Sequence, residues 1–180
     1  MEVTYKTVGE VIAERYTSRP VVEEDFVGFG LQDEDYTIEV VITLYEVAPE
    51  TEEEPLRQAM QITMWLCEND NTRLNLNHVP LADLLELCWR LQENIDWGVI
   101  TPRRVDKKTV ELCLFRCIDI TMRDLSLAFN GDMNSEFLRT LERMCTECDE
   151  LSPMFLALAN GEVNSLSEAE LFLTEPAGHS

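Results

Sequence analysis

The chain has 180 residues, 35 acidic against 14 basic side chains and a formal charge of -21, with 45% hydrophobic residues. That length suits one domain able to bury roughly two thirds of its unfolded surface, so a core can form without metal or disulfide staples. The charge repels phosphate backbones and anionic lipid, which argues against nucleic acid and membrane as partners and favours basic proteins.

The first residues, MEVTYKTVGEV, lack the basic start and apolar stretch of a signal peptide, and six cysteines suit a reducing compartment, so a soluble cytoplasmic protein is expected. Residues 9–16 read as a short first helix, and residues 3–8 and 21–29 as short strand candidates. Residues 36–47, YTIEVVITLYEV, alternate with Tyr36, Ile38, Val40, Ile42 and Leu44 on one face, which predicts a strand. Its edges need partners, supplied by a small N-terminal ribbon or by a second chain, and a homodimer is therefore an expectation.

After Pro49 the period changes. Thr51 and Glu54 have capping-box spacing and Pro55 suits a first turn, so a helix is expected over residues 51–68, with Leu56, Met60, Met64 and Cys67 on one stripe. Residues 69–78 read as a polar loop. Leu81, Leu84, Leu85, Cys88, Leu91 and Ile95 then recur at helical spacing, with Glu86 placed to pair with Arg90. Residues 94–104, containing Gly98 and Pro102, read as a break. Residues 106–129, DKKTVELCLFRCIDITMRDLSLAF, carry apolar side chains around almost the whole helical circumference, with Arg116, Asp119 and Arg123 as a narrow polar seam. That pattern predicts the buried central helix of a bundle. Asn130-Gly131-Asp132 ends it, and Phe137, Leu138, Leu141, Met144, Cys145 and Cys148 stripe the next helix. Pro153 is expected to open another short helix ending at Asn160-Gly161, and Ser165 with Glu168 to cap a last turn or two. The expected fold is mainly α: residues 1–50 an N-terminal segment with a β-strand, residues 51–176 a helical bundle, residues 177–180 a tail. No apolar run reaches bilayer length.

Candidate chemistry is sparse. Cys113 and Cys117 lie one helical turn apart and Cys145-Thr146-Glu147-Cys148 is a CxxC, so these four thiols form the only zinc set to weigh. All lie on expected apolar helix faces, where cysteine behaves as a small hydrophobe, and neither metal nor cofactor is expected. The available histidine bases are His78, in the polar loop, and His179, at the tail; Asp119 sits between two arginines that suit a salt-bridge seam. With no Walker loop, GxGxxG or HExxH, an enzyme is not expected. For partner binding, Trp89, Trp97, Arg103 and Arg104 surround the break between two expected helices and are side-chain types that dominate interface energy. Both tryptophans read alternatively as core, Trp97 the more readily, and Trp65, with Ile62 and Leu66, reads as packed inside.

Two resemblances follow from these motifs. Leu85-Glu86-Leu87-Cys88-Trp89 followed by Ile95-Asp96-Trp97-Gly98-Val99-Ile100 resembles the first Bcl-2 homology motif, with Val99 where that motif has the arginine that pairs with a pro-apoptotic ligand's aspartate. Residues 81–144 resemble the poxvirus branch of Bcl-2-like proteins, whose central helix V-x-L-x-x-x-x-C-I is similar to Val110-Glu111-Leu112 and Cys117-Ile118 here. The helix expected over residues 136–148 is similar to the one that follows in that branch. The resemblance implies an all-alpha, non-enzymatic protein of host-virus interaction that binds host signalling or apoptosis proteins and modulates innate immunity through NF-κB, or apoptosis. Loss of the groove arginine favours signalling over capture of pro-apoptotic helices, since a ligand aspartate left unpaired costs about 1–3 kcal/mol or more. The alternatives are a structural or scaffolding protein of a larger assembly and an acidic mimic of nucleic acid.

Overall fold

The computed structural model describes residues 2–16, 18–32, 36–48, 57–67, 72–106 and 109–163. In chain order its elements are α1 (Tyr5–Arg15), β1 (Val21–Val22), β2 (Val27–Gln32), β3 (Thr37–Val47), β4 (Arg57–Cys67), α2 (Leu81–Gln92), β5 (Val99–Arg104), β6 (Val110–Ile120), α3 (Met122–Phe129) and α4 (Glu136–Ala159). The strands make one six-stranded sheet in the order β1-β2-β3-β4-β6-β5, with every neighbouring pair antiparallel. The helices pack on one face of it.

Period-2 alternation builds the sheet, because successive side chains point to opposite faces. Ile38, Val40 and Ile42 of β3, Met60, Ile62, Met64 and Leu66 of β4, and Leu112, Leu114, Ile118 and Ile120 of β6 all face the helices and are buried. Leu84, Leu87, Cys88 and Leu91 of α2 and Phe137, Leu141, Met144, Leu151 and Phe155 of α4 complete the same core. At the β5 end the backbone comes close: a Cβ on Gly98 would lie 2.5 Å from the Leu114 side chain, so only glycine fits there.

Local caps fix the helix ends. Thr4 and Thr7 form a reciprocal capping box on α1. Asp124 in the first turn of α3 accepts from the backbone N–H groups of Glu136 (2.7 Å) and Phe137 (3.1 Å) and from Ser135 Oγ, while Ser135 Oγ caps Leu138 N. One carboxylate thus satisfies orphan donors of the next helix and joins α3 to α4. Gly131 (φ 72°) and Gly161 (φ 70°) turn the chain just after α3 and α4, as Asn130-Gly131 and Asn160-Gly161 predict.

The sheet overturns the mainly α expectation, the bundle over residues 51–176 and, with them, the all-alpha Bcl-2-like assignment. The expected central helix, residues 106–129, is strand β6 followed by the short helix α3. Val110, Leu112, Leu114, Ile118 and Ile120 face the core, and Cys113 and Phe115 face the other side. A strand apolar on both faces surrounds a helical wheel with apolar residues just as a buried helix does. The helix expected over 51–68 is strand β4 in its described part, its Thr51–Glu54 capping box lying outside the described residues. The break over 94–104 contains β5, an outer strand of the sheet, where Pro102 is tolerated. Residues 3–8 are not a strand, since α1 begins at Tyr5. Pro153 opens no new helix; α4 runs through it to Ala159. The turn expected after Ser165 lies outside the described residues. Strand β3, helix α2 and the 136–148 part of α4 stand as expected, and β3 is flanked by β2 and β4, so it needs no second chain to pair with.

Candidate functional site

Directly opposed residues of an antiparallel pair share a face. The register therefore sets Glu39, Trp65, Cys113 and Thr101 in one row on the side away from the helices, and Val41, Thr63, Phe115 and Val99 in the next. Thr43, Gln61 and Cys117 follow, then Tyr45, Ala59 and Asp119. Val99 and Tyr45 remain 47% and 49% exposed. Between the rows runs a trough of ≈ 680 Å³ floored by Val41, Thr63, Trp65 and Phe115, with Tyr45 on its β3 side and Arg103 and Arg104 on its β5 side.

One end of the trough is closed by charge. Arg73 lies 4.0 Å above the Trp65 ring, donates two hydrogen bonds to Glu39 (2.6 and 2.9 Å) and one to Glu111 (3.1 Å). Pairing with Glu39 holds the guanidinium firmly charged. Glu111 is almost fully covered, and a buried carboxylate persists only with such a partner. Burial pushes the Cys67 thiol up to about 11 and raises that of Cys113, which disfavours the reactive thiolate at both. The Trp65 indole N–H is buried with no acceptor among the described residues.

The structure separates the residues nominated for partner binding. Arg103 and Arg104 line the trough. Trp89 is 74% exposed on the outer surface of α2, one turn from Leu85, itself 52% exposed. Trp97 is on the helix side, half-buried between the guanidinium groups of Arg116 (5.1 Å) and Arg139 (5.7 Å), and its backbone N–H donates to Glu147 at 2.7 Å. Trp97 thus packs in part against the core. Trp65 is packed as expected, yet against the opposite face from Ile62 and Leu66. The residues that sequence reasoning missed are Val41, Tyr45, Thr63 and Phe115, which stand on three strands and meet only through register.

The zinc set is divided by the sheet. Cys113 and Cys117 lie on the bare face, while Cys148 touches Met64 in the core and Cys145 packs on that same helix side. Among the described residues no group of three or more His, Cys, Asp or Glu is placed to hold a metal ion. His78 Nε2 bonds to the Leu158 carbonyl at 2.8 Å, and Asp119 pairs with Arg57 at 3.3 Å, so neither converges with a second catalytic group. His179 lies outside the described residues. No described helix is long and apolar enough to cross a membrane. Comparison with protein-family models, with curated proteins and with solved structures found no match to this chain.

Proposed function

We propose that this protein is a non-enzymatic protein-binding module that works through the bare face of its sheet. The observation that carries this reading is the trough itself. Its floor of Val41, Thr63, Trp65 and Phe115 meets half-exposed Tyr45, and its described lining includes no His, Asp or Glu to serve as a general base. A sheet face that is apolar, aromatic and rimmed by arginine has the composition of an interface centre. The innate-immune and apoptotic partners implied by the helical resemblance lose their support with the bundle. Protein binding does not, because it rests on surface and not on ancestry. The test is capture from cell lysate by the intact chain and by its Phe115→Glu variant, with circular dichroism to verify the fold. A set of proteins retained by the first and lost by the second is the expected result; capture indifferent to Phe115 would overturn it.

A second reading, self-association or assembly, draws on Leu85 and Trp89, an exposed apolar pair on α2 away from the trough. Under it, sedimentation at high micromolar concentration gives a species larger than the monomer, which Trp89→Lys returns to monomer.

A further inference from the structure

We infer that the bare sheet face receives a partner's peptide segment that combines one or two carboxylates with apolar side chains. This rests on the reading of that face as a docking surface and names the chemistry of its occupant.

Charge complementarity decides the sign. The chain carries a net -21, yet among the described residues no Asp or Glu lines the trough. Instead Arg103 and Arg104 stand on its β5 side, both exposed, and neither is in an ion pair among the described residues. Arg103 and Arg104 are the charged residues of the described lining; Arg103 shares the bare face with its register partner Glu111, which Arg73 already holds, and such a cation suits planar, bidentate recognition of carboxylate. A basic segment would meet like charge there, and a neutral one would leave both cations partly desolvated without a partner.

Shape and polarity narrow the occupant further. The trough spans β3, β4, β6 and β5, three inter-strand gaps of about 4.8 Å each, or roughly 14 Å, which is wide enough for one helix or one extended strand laid across it. It is open along its length, unlike the enclosed clefts that take small ligands. Its floor is apolar at Val41 and Phe115, so the segment must bring apolar side chains. The arrangement selects against strongly acidic proteins as a whole, because the surrounding charge repels them; it accepts local acid on a partner that is otherwise neutral or basic.

The experiment is a selection of binders to the full chain from a random displayed peptide library. Enriched peptides are then measured by fluorescence anisotropy against the wild type, against Arg103→Glu combined with Arg104→Glu, and against Phe115→Glu, each checked by circular dichroism. The expected result is enrichment of sequences holding Asp or Glu beside Leu, Ile or Phe, with affinity falling at least about tenfold in the charge reversal and in Phe115→Glu. Enriched peptides that are basic or uncharged, lose binding with Phe115→Glu and ignore the charge reversal would overturn the inference while leaving the docking face intact. Absence of enrichment, or binders indifferent to both variants, would overturn the two together. A dimer dissolved by Phe115→Glu would put a second copy in the trough. Competition by a synthetic peptide of residues 164–180 would put the chain's own segment there. Either outcome would displace the partner's segment.

Discussion

Leu114 and Phe115 are adjacent in sequence and on opposite faces of β6, so truncating each in turn tests the alternation on which the fold and the trough both depend. Leu114 is 3% exposed, faces α4 and touches the closest approach of Gly98. Leu114→Ala removes three carbons, a transfer loss of roughly 2.4 kcal/mol at about 0.8 kcal/mol each. It also opens onto an existing void of ≈ 20 Å³ lined by Met64, Leu112, Leu114 and Phe155, which adds about 0.5 kcal/mol. A destabilisation near 3 kcal/mol lowers the melting temperature by about 6–12 °C in a chain of this size. Phe115 is the larger side chain, yet it is only half-buried and packs on no helix; Phe115→Ala is expected to cost about 1–1.5 kcal/mol. Urea unfolding followed by circular dichroism gives both values. If Phe115→Ala costs as much as Leu114→Ala, or more, the assignment of faces is wrong and the bare face is not bare.

Three other outcomes follow from the same geometry. Arg73→Ala uncaps Trp65 and strands the covered Glu111 carboxylate, a loss of about 2 kcal/mol in denaturant titration that Arg73→Lys only partly restores, because lysine lacks the bidentate fork. Gly98→Ala drives a methyl into Leu114 and is expected to cost about 1–3 kcal/mol, with Leu114→Ala in the same chain relieving part of the penalty. Glu147, whose carboxylate accepts the backbone N–H groups of Asp96 and Trp97, has its pKa raised chiefly by burial, with those two hydrogen bonds opposing. Just above the ordinary glutamate range the folded chain therefore keeps a proton that the unfolded chain has released, and stability falls as pH rises through that window. Melting temperatures of Glu147→Gln should depend less on pH between mildly acidic and neutral conditions than those of the wild type; an unchanged slope would exclude Glu147 as the cause.

Strand β3 was legible because its polar positions, Glu39, Thr43 and Tyr45, fall strictly between apolar ones, leaving a single period to choose. Helices α2 and α4 were legible because one stripe of each is apolar and the rest is charged. In β6 the alternation is broken at Arg116, which points to the helix side but is satisfied by the Asp96 carbonyl and the Trp97 ring. With Cys113 and Phe115 apolar on the other face, the period-2 signal was lost. In β4 the leucine and methionines favour helix, and only the tertiary partners β3 and β6 override them. Of the site, Arg103 and Arg104 could be named from residue type alone. Val41, Tyr45, Thr63 and Phe115 could not, because nothing short of the pairing register brings them together.

Pro102 has no N–H, and its place on β5 turns that gap outward, where a further strand would otherwise add itself. At the far margin β1 offers two residues, too few to template a neighbour. With both flanks ill-suited to growth, a visiting chain gains little by extending the ladder sideways, and contact from above or below becomes the productive approach.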